Sequence, residues 1–364
     1  MHVVLAGGGT AGHIEPALAL ADALRRQDPT VGITALGTER GLETRLVPER
    51  GYELALIPAV PLPRKPTPEL ITVPGRLRGT IKAAEQILER TKADCVVGFG
   101  GYVALPGYLA AKRAGVPIVV HEANARPGLA NKIGSRYASG VAVSTPDSKL
   151  RGSRYIGIPL RRTIALLDRA RVRPEARAAF NLDPNLPTLL VSGGSQGARR
   201  LNEVVQQVAP VLQRAGIQIL HAVGPKNEMP YVENMPGMPP YIPVPYVDRM
   251  DLAYAAADMM LCRAGAMTVA ELSAVGLPAA YVPLPIGNGE QRLNAQPVVK
   301  AGGGLLVDDA ELTPEWVQGN VLPVLADPHR LYEMSRAASE FGRRDADDLL
   351  VNMVYEAIAS RRNA

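Results

Sequence analysis

Apolar positions in this chain come as short solid runs, each followed by a stretch with helical spacing. Val3-Val4-Leu5-Ala6 is such a run and predicts a strand. A glycine loop, Gly7 to Gly12, follows it. From His13 to Arg26 the apolar residues Ile14, Ala17, Leu18, Ala21 and Leu24 recur on one helical face. Pro16 is tolerated there because it falls in the first turn. Val31 to Leu36 predicts a second strand. Strands alternating with helices imply a parallel sheet with helices on both faces. The opening recurs in mid-chain. Thr188 to Val191 reads as a strand, Ser192-Gly193-Gly194-Ser195-Gln196-Gly197 as a glycine loop, and Ala198 to Arg214 as a helix with Leu201, Val204, Val205, Val208 and Leu212 on one face. A further echo pairs Ala93-Asp94, Gly100-Gly101 and Gly115-Val116-Pro117 with Ala257-Asp258, Ala264-Gly265 and Gly276-Leu277-Pro278. The expectation is α/β: two halves of one architecture, divided between Pro159 and Pro187, with ligands at the carboxyl ends of the strands. Arg343 to Arg362 predicts a helix that packs back on one half. Two proline-rich stretches, Pro58 to Pro74 and Pro225 to Pro245, read as surface loops.

Composition narrows the classes. A chain of 364 residues suggests two domains, and 47% hydrophobic with 21% charged residues is an ordinary globular balance. With 3 Phe, 12 Tyr and 1 Trp, nucleic-acid binding through rows of stacked rings is disfavoured. Cys95 and Cys262 lie in apolar runs and read as buried free thiols. The best uncharged run, Cys95 to Ala111, is broken by glycines and Pro106, so no membrane span is expected. No signal core precedes the first glycine loop, so a cytoplasmic protein is expected. The formal net charge of +5 suggests anionic partners.

The first glycine loop fits G-x-G-x-x-G, but a dinucleotide domain wants an acid at the end of the second strand. Here Ala35-Leu36-Gly37-Thr38 ends that strand and Glu39 comes late. The physics of such loops holds for other anions: backbone approaches closely, and a helix start carries about +0.5 charge. Neither loop has the lysine of a P-loop. His13, at a loop-to-helix junction, is either a capping histidine or a general base. His121-Glu122-Ala123-Asn124 ends a strand, and three polar side chains there read as functional rather than core. Glu271 is either a solvated helix carboxylate or an acceptor for a ribose diol. Gln291 and Asn294 suit sugar hydroxyls. No zinc spacing and no nucleophile elbow is present.

Taken in order, GGGTAGH, GFGGY, HEAN, GIPLR, GGSQGA, YVDRM, CRAGAMTVAE and EQRLNA resemble the MurG family of N-acetylglucosaminyl transferases, from Gly7 to Asn294. The resemblance implies a GT-B fold: two Rossmann-like domains with parallel sheets facing across a cleft. Residues 1–162 would form the acceptor and membrane side, and residues 163–342 the UDP-sugar side. It implies inverting transfer of N-acetylglucosamine from UDP-GlcNAc to the 4-hydroxyl of the muramoyl sugar of lipid I, giving lipid II, with no cofactor. Carried over residue by residue, His13 is the candidate base, and Thr10, Ala11 and Gly12 are the sugar-nucleotide loop. Asn124 and Gln291 contact the donor sugar, and Arg161 and Ser195 the diphosphate or nucleoside. Glu271 holds the ribose and Val247 lies at the uracil. Ala266, Met267, Thr268, Val269 and Ala270 flank the donor. Two departures stand out: Ala11 where the family often has glycine, and Glu290 where a histidine is expected. A polyprenyl acceptor implies an anionic membrane surface at the cytoplasmic face, met by Leu70, Ile71, Arg76, Leu77, Arg78 and Ile81. Cell-wall synthesis and division proteins are further implied partners; nucleic acid is not. The competing readings are another UDP-sugar enzyme, such as a UDP-GlcNAc epimerase, and a non-catalytic nucleotide-sugar binder.

Overall fold

A computed structural model describes residues 1–60, 73–230, 237–286 and 289–362. The chain forms two compact units, one of Met1–Arg161 with the segment from Arg344 onward, the other of Arg162–Arg343.

The first unit is built on strands β1 (His2–Gly7), β2 (Gly32–Gly37), β3 (Glu53–Leu56), β4 (Cys95–Gly100), β5 (Ile118–Glu122), β6 (Gly140–Val143) and β7 (Ser153–Tyr155). Its helices are α1 (Ala11–Gln27), α2 (Glu43–Glu49), α3 (Val73–Thr91), α4 (Ala104–Ala114) and α5 (Leu129–Gly134). The sheet is parallel in the order β3-β2-β1-β4-β5-β6-β7. The central strands β1 and β4 are apolar on both faces because both faces are covered, whereas the edge strands β3 and β7 are partly exposed. Val3, Leu5, Cys95, Val97 and Phe99 join the core with α1. Val4, Ala6 and Val96 join the opposite core with α3 and α4. That alternation is the period-two geometry of a strand.

The second unit repeats the topology. Its strands are β8 (Thr188–Ser192), β9 (Gln218–Ala222), β10 (Tyr241–Val244), β11 (Met259–Cys262), β12 (Ala279–Tyr281) and β13 (Gly304–Leu306). Its helices are α6 (Arg162–Ala165), α7 (Arg169–Ala179), α8 (Arg199–Arg214), α9 (Met250–Ala256), α10 (Ala266–Val275), α11 (Glu290–Lys300), α12 (Pro314–Asn320), α13 (Leu322–Leu325) and α14 (Pro328–Ser339). The parallel order β10-β9-β8-β11-β12-β13 matches the first six strands of the other sheet. Both units are therefore Rossmann-like, each with its order reversing beside its first strand, between β1 and β4 and between β8 and β11.

The last helix, α15 (Ala346–Arg362), belongs to the first unit. Leu350, Val351, Val354 and Ala357 enter the α1 core, and Arg26 of α1 pairs with Asp347 at 2.7 Å. Asp347 and Asp348 in its first turn complement the helix dipole.

The reading of the two proline-rich stretches as loops needs correction at one proline in each. Pro74 lies within α3, in its first turn, where a missing N–H breaks no helical bond. Pro243 lies inside β10, which is tolerated because β10 is an edge strand. Residues 61–72 of the first stretch and 231–236 of the second lie outside the described residues.

Candidate functional site

In the first unit the strand-order reversal sets the site. β1 and β4 pair in register through Ala6 and Gly98, then skip Phe99 so that Gly7 meets Gly100. This irregularity turns the chain out of the sheet at the foot of the first glycine loop. α1 begins at Ala11, so Thr10 is its N-cap and His13 stands in its first turn. Ala11 is thus an ordinary helical residue, and its methyl group demands no left-handed backbone. The Thr10 hydroxyl and His13 Nδ1 are 3.0 Å apart. Gly100 has φ +93°, and a Cβ there would lie 3.2 Å from His13 Nε2, so a glycine favours this close pass of β4 by the ring. Burial lowers the His13 pKa, against the opposing pull of the Glu122 charge and a backbone hydrogen bond at Gly8. The ring is therefore neutral near pH 7.

The turn after β5 corrects the expectation that its polar residues lie outside the core. His121 is fully buried and Glu122 is 3% exposed. Glu122 accepts the N–H groups of Asn124 and Gly128, each at 2.9 Å, and Asn131 Nδ2 at 2.9 Å. Asn131 in turn accepts the Tyr108 hydroxyl at 2.7 Å. These bonds build the turn and leave Asn124 half-buried beside it. His121 Nε2 donates to the Gly157 carbonyl at 2.9 Å, and burial lowers its pKa to about 4.

A carboxylate that the sequence did not single out holds the first loop. Glu43, 1% exposed at the start of α2, accepts the Gly9 N–H at 2.9 Å. Its other oxygen accepts the Thr38 N–H at 2.9 Å and the Thr38 hydroxyl at 3.2 Å. An acid does stand at the end of the second strand, but it arrives from the next helix and is engaged by protein. Arg161, half-buried, has Nε 4.0 Å from Glu15.

Of the proposed membrane contacts, Leu70 and Ile71 lie outside the described residues. Arg76 and Arg78 are exposed on α3. Leu77 packs against the core and Ile81 is 3% exposed within it, so Ile81 has no side-chain surface to offer a membrane. Among the described residues, no helix is long and apolar enough to cross a membrane, and no group of three or more His, Cys, Asp or Glu is placed to hold a metal ion.

In the second unit two helix starts converge on the reversal point of the sheet. α8 follows the second glycine loop, with Ala198 as its N-cap; α10 follows Arg263 and Ala264, with Gly265 as its N-cap. Neither cap residue has a side-chain acceptor, so the first N–H groups of both helices are uncapped by side chains. Ser195 is exposed on the loop, and residues 266–270 are half-exposed on the first turns of α10. Glu271, 6% exposed, accepts the Tyr254 hydroxyl at 2.7 Å, which fixes its carboxylate. Arg263 is neutralised by Asp309 at 2.5 Å. Val247 is 5% exposed, so its position offers backbone rather than side chain to a ligand. Gln291 sits in the first turn of α11 with Oε1 accepting the Leu284 N–H at 2.9 Å. Asn294 is buried one turn further on. Glu290 is the first residue of α11, where a carboxylate complements the helix dipole.

Two Rossmann-like sheets in one chain, each with a glycine turn and a helix start at its reversal point, suit a phosphorylated ligand, and the family match makes the class a glycosyltransferase. The chain belongs to glycosyltransferase family 28: the family's N-terminal domain matches residues 3–143 and its C-terminal domain residues 188–350. It is 95% identical over 361 residues, 99% of each chain, to the UDP-N-acetylglucosamine–N-acetylmuramyl-(pentapeptide) pyrophosphoryl-undecaprenol N-acetylglucosamine transferase of Streptomyces avermitilis. The protein of the same name from Acidothermus cellulolyticus is 62% identical, over 100% of this chain and 99% of its own. Among solved structures, Acinetobacter baumannii MurG superposes with a TM-score of 0.79 at 29% identity, covering 98% of this chain and 99% of that one. The calicheamicin glycosyltransferase CalG4 shares the fold, with a TM-score of 0.66 at 19% identity over 97% of this chain and 98% of its own.

Proposed function

We infer that this chain transfers N-acetylglucosamine from UDP-GlcNAc to the 4-hydroxyl of the muramoyl sugar of lipid I, forming lipid II with inversion at the anomeric carbon. The observation that carries this reading is near-identity along essentially the whole chain to relatives bearing that activity in their name. The site chemistry supports it.

His13 is the base that takes the proton of the attacking hydroxyl. For Nε2 to accept it, Nδ1 must carry the ring hydrogen and donate it to the Thr10 hydroxyl 3.0 Å away. The Thr10 hydroxyl can accept in that tautomer, and burial keeps the ring unprotonated and ready. Glu122 stabilises the imidazolium that forms after proton transfer. Gly12, beside it, leaves the first turn of α1 open, and Asn124 meets the donor sugar.

Charge builds on the departing UDP. The uncapped N–H groups of α8 and α10 and the Ser195 hydroxyl stabilise it. Glu271, held by Tyr254, accepts the ribose hydroxyls. The backbone at Val247 reads the base. Gln291, whose oxygen is tied to Leu284, turns its amide NH2 to the sugar. Ala266 to Ala270 line the donor with small side chains and backbone. Arg161 adds positive charge tempered by Glu15.

The lipid-borne acceptor places the protein at the cytoplasmic face of the membrane, peripherally. Arg76 and Arg78, exposed at the start of α3, supply attraction to anionic lipid of about 1 kcal/mol each. Cell-wall synthesis and division proteins would be its neighbours there.

The test is UDP release from UDP-GlcNAc with and without a lipid I analogue. Release that requires the acceptor is the expected result. Conversion of the sugar without acceptor would favour an epimerase, and UDP binding with no turnover would favour a binding protein.

A further inference from the structure

The two glycine loops are fastened by side chains of opposite character. The first is held by the Glu43 carboxylate through the Gly9 N–H. The second is held by a neutral amide. Asn227, half-buried between β9 and β10, donates from Nδ2 to the Gln196 carbonyl at 2.9 Å and to the Val223 carbonyl at 3.0 Å. Its own N–H closes a turn onto the Gly224 carbonyl at 3.1 Å.

The fit between the two segments is close. Gly197 has φ +74° and Gly224 has φ +102°. A Cβ at Gly197 would fall 2.0 Å from the Val223 oxygen, and one at Gly224 would fall 2.5 Å from both Asn227 Nδ2 and the Gln196 oxygen. Both segments must therefore be glycine for the amide to reach across. Behind it runs a chain of satisfied polar groups. Asn202 on α8 donates to the same Val223 carbonyl at 2.9 Å and lies 3.0 Å from His221 Nε2, while His221 Nδ1 lies 2.9 Å from the Tyr241 hydroxyl. Asn227 is the link in this chain that grips the loop itself.

We propose that Asn227 is a positioning residue for the nucleoside diphosphate: it holds the 193–197 loop in its anion-accepting shape and does so without placing a negative charge beside the phosphates. The proposal rests on the reading of UDP-GlcNAc as donor. With its Gln196 carbonyl bound to an amide that is itself anchored on the Val223 carbonyl, the loop is set before the ligand arrives, so less ordering accompanies binding. A carboxylate fastener of the first-loop kind would instead oppose a diphosphate directly.

The test is calorimetric titration of UDP into the full chain, with steady-state kinetics in parallel. Asn227→Ala is expected to weaken UDP binding about 5- to 20-fold, the loss of two modest hydrogen bonds. It should raise KM for UDP-GlcNAc by a similar factor and hold kcat within threefold. Asn227→Asp should weaken binding at least tenfold further than alanine. Thermal melts of both variants confirm that the folded protein is being titrated, and a merely structural role would lower the melt without splitting KM from kcat. If wild-type protein binds UDP while both variants bind it within twofold of wild type, the positioning role is overturned. If kcat falls and KM stays, it is overturned too. If the wild-type chain binds no UDP, the donor reading itself fails.

Discussion

His13 carries the chemistry at the scale of single residues, and its environment sets a pH dependence. Burial lowers its pKa below the ordinary 6.5, and the Glu122 charge raises it. The acidic limb of kcat/KM is therefore expected below pH 6.5. Glu122→Gln removes the supporting charge and should move that limb to still lower pH, with activity measured from pH 4.5 to 9. His13→Ala should lower kcat/KM by about 10²-fold or more, the usual effect of removing a general base. Single residues were also where the sequence misled. Glu39 stood near the place where a nucleotide fold wants its acid, yet the carboxylate in that place is Glu43, brought by the turn into α2. Spacing along the chain cannot show which of two nearby acids a turn folds inward. His121 and Glu122 were expected outside the core and lie within it: His121 is tied to the Gly157 carbonyl, distant in sequence, and Glu122 to the Asn124 and Gly128 N–H groups of the turn that follows it.

Elements were far more legible. The central strands are buried on both faces and so read as solid apolar runs, and the helices kept a clear stripe. The exception, Ile81, is instructive. Leu77, Ile81, Ala84 and Leu88 share one helical stripe facing the core, a signal hidden by the prolines before it. The last helix also had its apolar face in the sequence, but only the fold shows which core it enters. Leu350 is fully buried there. Leu350→Ala should destabilise the protein by about 2–5 kcal/mol, read by denaturant titration. On α10, Glu271 accepts a charged hydrogen bond from Tyr254 and faces the donor's ribose in the proposed function. Glu271→Ala should raise KM for UDP-GlcNAc by about 10- to 100-fold, the worth of lost bonds to a charged group.

Across the whole molecule, one histidine is buried neutral in each sheet. Burial brings both His121 and His221 down to about 4. Between that value and the unfolded 6.5 the unfolded chain binds more protons, so stability falls as pH drops through this window. Each histidine contributes about 3 kcal/mol above pH 6.5 that is lost on acidification toward pH 4. Denaturation midpoints measured from pH 7.5 to 4 should decline steadily, and His221→Asn should flatten the decline. The duplicated topology was readable because both glycine loops sit at the same point of the repeat. What the repeat does not reveal is that the two copies diverged in charge: the first loop is fastened by a carboxylate, the second by an amide.

The most direct measurement is the structure of the product made from UDP-GlcNAc and a lipid I analogue, read by mass and by proton coupling at the new anomeric centre. The expected product is one N-acetylglucosamine joined in β configuration to the 4-oxygen of the muramoyl sugar, made by wild type and nearly lost in His13→Ala. An α linkage, attachment at another oxygen, or undiminished synthesis by His13→Ala would contradict the account.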